Sequence, residues 1–70
     1  MEALQRAVLL LGSQTKLAMA IGVRQQNIWA WLNRNKRVPA EFCKPIEEAT
    51  DGEVKASELR PDVFKEAKQV

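Results

Sequence analysis

Gly22 stands between two short apolar patterns of helical spacing, and that junction limits the chain to folds in which two short helices meet at a tight corner. Ahead of it, Leu17, Ala18 and Ile21 fall on one helix face, with Ser13 placed to accept from backbone N–H groups of the first turn. Beyond it, Val23 reads as a buried corner residue, and Ile28, Trp31 and Leu32 recur at i, i+3, i+4 spacing. Gly22 itself supplies the positive φ that a corner requires, without Cβ strain.

The flanks continue this helical reading. Leu4, Ala7, Val8 and Leu11 predict a first helix over residues 2–11, broken at Gly12. The third helix is expected from about Arg24 to Asn33, followed by a polar, basic loop over residues 35–39. A fourth helix, with Pro39 in its first turn and Phe42, Ile46 and Ala49 as its apolar stripe, is predicted to stop at Asp51-Gly52. Pro45 conflicts with that helix, because it lacks a donor and crowds the preceding turn at a cost of ~3 kcal/mol or more, so a kink or a late start is expected. Ser57 is read as the cap of one further turn through Leu59, ended by Pro61, leaving Val63 and Phe64 to pack back or to meet a partner. The fold class is therefore all-α, a compact domain of four to five helices.

Seventy residues admit one domain over residues 1–70, and a two-domain enzyme is excluded. With no His and Cys43 alone, a disulfide within the chain is impossible and zinc sites built from several His or Cys ligands are ruled out. The expectation is a metal-free, cofactor-free cytoplasmic chain. Its apolar run at residues 7–11 is too short to span a membrane and lacks an export signal's cleavage site. Cys43 and Trp31 read as core, and Met19 as exposed. Glu47 and Glu48 point ~100° apart on a helix and have no third group to work with, so no enzymatic site is expected.

The net charge of +2 is unevenly distributed. Residues 14–44 hold Lys16, Arg24, Arg34, Lys36, Arg37 and Lys44 against Glu41 alone, a net of +5, whereas residues 45–70 sum to −3. A basic middle beside an acidic tail suits a surface offered to a polyanion, although such a run is equally compatible with a solvated loop.

Residues 14–33 can be tested against the rules of a helix-turn-helix unit. Counting from Gln14, the fifth position is Ala18, small where two helices approach closely; the ninth is Gly22, at the turn. The fourth, eighth, tenth, fifteenth and eighteenth are the apolar Leu17, Ile21, Val23, Ile28 and Trp31. With these residues in place, the chain resembles the phage Cro and cI repressor superfamily, and more narrowly the Cro-like YdaS family of prophage regulators. Gln14-Thr15-Lys16, Leu17-Ala18 and Ile21-Gly22-Val23 look like the Cro-type first helix and turn. Gln25-Gln26 is similar to the paired glutamines that open the recognition helix of some lambdoid repressors. Trp31-Leu32-Asn33, Arg37-Val38-Pro39-Ala40-Glu41, Ile46-Glu47 and Leu59-Arg60-Pro61-Asp62-Val63-Phe64 look like the remainder of the YdaS type. The resemblance implies a lambda-repressor-like fold.

The helical wheel turns Gln25, Gln26, Trp29, Ala30 and Asn33 outward, the face that enters a major groove in such a unit. The resemblance implies base contacts at Arg24, Gln25 and Gln26, and amide contacts to phosphate at Gln14 and Asn33, while adjacent glutamines elsewhere commonly serve solubility alone. Thr15, Lys16, Arg34, Lys36 and Arg37 are assigned to the DNA backbone. Trp29 departs from the family pattern, and three roles stay open: contact with a thymine methyl or sugar, a dimer interface, or a cation–π fold over the 34–37 loop. Ala30 fits against a thymine methyl, but its simpler reading is a neutral helix former.

The expected function is that of a sequence-specific regulator of transcription, a Cro-like repressor acting as a homodimer on a double-stranded DNA operator, with neither a membrane nor a small-molecule substrate as partner. The tail, residues 53–70, with Val63 and Phe64, is the candidate for packing or dimerisation. The alternatives are an activator that touches RNA polymerase and an antitoxin-like module whose partner is a protein.

Overall fold

A computed structural model describes residues 2–64, and these form five helices with no strand among them. They are α1 (Glu2–Leu11), α2 (Gln14–Ile21), α3 (Gln25–Asn33), α4 (Ala40–Ala49) and α5 (Ala56–Leu59). The expectations for residues 65–70 lie outside the described part.

α1 buries Leu4 and Ala7 and ends where the Gly12 N–H donates to the Val8 carbonyl at 2.8 Å. Ser13 then caps α2 as expected, its extended backbone placing the hydroxyl 3.1 Å from the Lys16 N–H. α2 is the hub: it packs against α1, α3 and α4, and does so through the buried Leu17 and Ala18. At its end Gly22 takes φ +79°, and the next N–H, of Val23, closes on the Ala18 carbonyl at 2.9 Å. A Cβ at Gly22 would meet nothing within 4 Å, so the backbone angle, not space, demands glycine there.

α3 starts one residue later than the sequence suggested. Arg24 is its N-cap, extended at φ −88° and ψ 153°, and makes no side-chain capping bond. Ile28 and Trp31 are buried, and the Trp31 ring tilts against Phe42 of α4 with centroids 5.3 Å apart. Leu32, half-buried, packs at the margin of the same core.

α4 corrects two expectations. Pro39 lies ahead of the first turn, as N-cap, rather than within it. The late start forecast from Pro45 does not occur either, since α4 begins at Ala40 and runs uninterrupted through the proline. The carbonyl that loses its donor belongs to exposed Glu41, where water can replace it, and fully buried Cys43 and Ile46 hold the helix on both sides. The stop is as expected: Asp51 and Gly52 both take positive φ, and the Gly52 N–H donates to the Glu47 carbonyl at 2.8 Å. Thr50, buried beside them, donates its hydroxyl to the Ile46 carbonyl at 3.0 Å and accepts from the Val54 N–H at 3.1 Å.

The cap of α5 is a third correction. Ser57 lies inside the helix, and Lys55 is the N-cap. The free N–H groups are taken by carboxylates instead: Glu58 accepts from Lys55 at 3.2 Å, and Glu47, from α4, accepts from Ala56 at 2.8 Å. Beyond α5 the Phe64 N–H returns to the Arg60 carbonyl at 2.8 Å, and the Phe64 ring packs on the core while Val63 stays 46% exposed. Of the two tail residues, one packs back and the other remains available.

Gly22→Ala should destabilise the fold by about 1–2 kcal/mol, the cost of a left-handed residue with a Cβ. In a thermal melt followed by circular dichroism, a domain of this size should then lose roughly 4–8 °C per kcal/mol.

Candidate nucleic-acid interface

The corner at Gly22 brings the N-termini of α2 and α3 to one edge of the molecule. There the Gln25 Nε2 donates to the Gln14 Oε1 at 2.6 Å, joining residues eleven apart in sequence. Both helices thus direct the N–H groups of their first turns to the same edge, a polarity that favours an anion. The bond leaves Gln14 both Nε2 hydrogens, the donors that a phosphate oxygen needs, and leaves Gln25 its Oε1 and one Nε2 hydrogen. Gln26, one residue on, is exposed and makes no side-chain hydrogen bond among the described residues. Arg24 is exposed at the mouth of α3, and Thr15 is exposed on the first turn of α2.

Other expected contacts are placed differently. Lys16 lies over the α1–α2 turn, its Cδ 3.2 Å and its Nζ 3.6 Å from where a Gly12 Cβ would stand. Asn33 is exposed, but its Nδ2 already donates to the Trp29 carbonyl at 3.0 Å, leaving one amide hydrogen for an outside acceptor. Ala30 is half-buried rather than fully outward, and its carbonyl receives the N–H groups of both Arg34 and Asn35 at 2.8 Å. Trp29 is 49% exposed with no aromatic or cation–π partner among the described residues.

Arg34, Lys36 and Arg37 are all exposed on the loop that leaves α3. Lys36 takes φ +59°, a left-handed conformation uncommon for a residue with a Cβ. The loop returns to the core at Val38, which is fully buried, and the Val38 carbonyl accepts from Arg60 Nη1 at 3.0 Å. Arg60 also grips Asp62 with two arms, Nε to Oδ1 at 3.0 Å and Nη2 to Oδ2 at 2.8 Å. Sequence reasoning missed this cluster. Arg60 and Asp62 stood only inside a family-like segment, and no local pattern tells that Arg60 reaches a carbonyl 22 residues away.

The hydrogen bonds from Arg60, with the charges of Arg60 and Arg37 adding to them, hold the Asp62 carboxyl down at about 2. Glu58 is also lowered, first by the Lys55 N–H and then by Arg6, which pairs with it at 2.7 Å. Burial pushes the Cys43 thiol up, and its Sγ lies 3.6 Å from the Pro39 carbonyl.

Five helices with α2 as the hub, two short ones meeting at a left-handed glycine, and an amide-rich edge with a basic loop after α3 define a Cro-type helix-turn-helix protein. A solved structure agrees: the Cro protein from Xfaso 1, a candidate prophage element in Xylella fastidiosa strain Ann-1, superposes with a TM-score of 0.88 at 50% identity, covering 94% of this chain and 100% of that one. The chain belongs to the YdaS family, whose model, described as bacterial toxin YdaS, matches residues 4–68. A curated relative from Escherichia coli (strain K12), described as a candidate transcriptional regulator YdaS, is 39% identical over 59 residues. The match takes in 84% of this chain and only 60% of that relative's length. Among the described residues no helix is long and apolar enough to cross a membrane.

Because the Asp62 carboxyl falls from 3.8 to about 2 in the folded chain, its pairing stabilises the fold above the unfolded value and is lost as pH drops through the folded one. At neutral pH the Asp62→Asn variant should therefore melt below the parent, and the gap should close as both are titrated towards pH ~2. A gap that stayed constant with pH would assign the loss to something other than the charge.

Proposed function

We propose that this chain is a sequence-specific, double-stranded-DNA-binding regulator of transcription that reads the major groove with α3. The observation that carries the reading is the Gln14–Gln25 bond, which fixes one amide for phosphate and the next for a base edge, with Gln26 free beside them. Membership of the YdaS family and likeness to a Cro protein support it, as do the relative described as a regulator and the net of +5 over residues 14–44. Arg24, Gln25 and Gln26 read bases, with Trp29 lying along the groove wall; Gln14, Thr15 and Asn33 hold phosphates, with Arg34, Lys36 and Arg37 supplying charge. The protein acts as a regulator, not an enzyme, and repression follows from occupying a promoter.

One α3 covers only about 3–4 base pairs, so two copies bind an inverted repeat with half-sites ~34–36 Å apart. Phe64 packs against the core, which leaves Val63, among the described residues of the tail's Val63–Phe64 pair, to contribute to a contact between copies.

Selection from random duplex DNA, followed by titration of the winner at two salt concentrations, tests the proposal. An inverted repeat with adenine in each half-site is expected. Gln26→Ala should weaken that site by about 1–3 kcal/mol and relax preference at one position. Arg37→Ala should instead weaken all sequences alike and flatten the salt slope by about one unit for each copy bound. Binding without sequence enrichment would reduce the surface to a general polyanion site, and no binding at low salt would favour a module whose partner is a protein.

A further inference from the structure

Arg60, Pro61 and Asp62 have no part in the DNA-facing surface described above, yet Arg60 reaches the loop that carries part of it. One guanidinium donates three bonds: two to the Asp62 carboxylate, at 3.0 and 2.8 Å, and one to the Val38 carbonyl at 3.0 Å. The Arg60 side chain is only 14% exposed while Asp62 is 61% exposed, so the cation is enclosed and its counter-charge faces water. Pro61, between them, fixes its own φ and shortens the list of conformations in which the two side chains can miss each other.

The loop needs such a hold. Lys36 at φ +59° is a strained conformation for a side chain with a Cβ, and it persists only where the surroundings impose it. At the α3 end the Arg34 and Asn35 N–H groups both close on Ala30 at 2.8 Å. At the other end the Val38 side chain is buried, and Arg60 is the recorded partner of its carbonyl among the described residues. Arg37 lies between these two anchors, near enough to Asp62 for its charge to act on that carboxyl.

We propose that Arg60 is a positioning residue for DNA binding: its guanidinium, clamped by Asp62, holds the Val38 carbonyl and so sets where Lys36 and Arg37 meet the DNA backbone. The inference rests on the DNA-reading function proposed above. A lysine cannot take the same place, because its single ammonium is a point charge without the planar fork that serves a carboxylate and a carbonyl at once.

The test uses the full chain and its selected operator, with Arg60→Lys as the main variant and Asp62→Asn, altered at an exposed position, as the second in case the first folds poorly. In the DNA-free protein, backbone order parameters at residues 35–38 should fall from rigid values near ~0.85 towards ~0.6 in Arg60→Lys. Operator affinity should fall roughly tenfold, and the salt slope should flatten by about one unit for each copy bound, as expected for a lost phosphate contact. When Lys36 and Arg37 are already alanine, adding Arg60→Lys should cost no further affinity. A general structural role would give the same loss in both backgrounds, in step with the melting temperature, and would overturn the proposal. So would a folded Arg60→Lys chain that binds the operator as the parent does. If the parent itself binds no duplex at low salt, the DNA-reading function falls and the purpose assigned here to Arg60 falls with it, whatever the loop does. A parent that binds while the variants bind equally removes Arg60's role alone.

Discussion

The close approach of α2 and α3 at Ala18, held by the left-handed Gly22, is the constraint from which the rest of the arrangement follows. α2 has eight residues and α3 nine, too few to persist in water by themselves. Each is kept by the apolar face it buries, Leu17 and Ala18 on one and Ile28 and Trp31 on the other. Once their crossing is fixed, the Gln14 and Gln25 amides meet and the first-turn N–H groups share an edge. The surface offered to an anion is thus a by-product of core packing.

Local patterns made the first half of the molecule readable in advance. The Gly12 break, the Ser13 cap and the Gly22 corner depend on neighbours within a turn, and the expected boundaries of α1 and α2 were met. What failed depended on distant partners. Ser57 looked like a cap, but Glu47 reaches from α4 to take the Ala56 N–H. Pro45 pointed to a late start as one of two outcomes, but α4 begins at Ala40 and runs through it, with Cys43 and Ile46 buried on either side. Within the candidate interface, periodicity identified which residues face outward and overstated Ala30, while the amide pair and the hold of Arg60 on the loop came only from tertiary structure.

The acidic tail is not simply a solvated counterweight to the basic middle. Glu58 ties to Arg6 at 2.7 Å, and the same arginine donates to the Glu53 carbonyl at 3.1 Å, joining the last helix to the first. Both side chains of that ion pair are nearly half exposed, so it contributes at most ~1 kcal/mol. Asp62 is spent on enclosed Arg60, beside the loop that carries Arg37. Two of the tail's carboxylates thus fasten structure: Glu58 ties α5 to α1, and Asp62 holds the arginine that reaches the Val38 carbonyl.

Cys43 is fully buried and its thiol is held in the neutral form. It is the single cysteine of this sequence, and its burial keeps it from a disulfide with a second copy while the domain is folded. On the function proposed above, two copies meeting on one operator would give an occupancy that rises with the square of chain concentration while they are separate in solution. A gradual rise in synthesis would then become an abrupt change at the promoter, with the enclosed thiol taking no part in it.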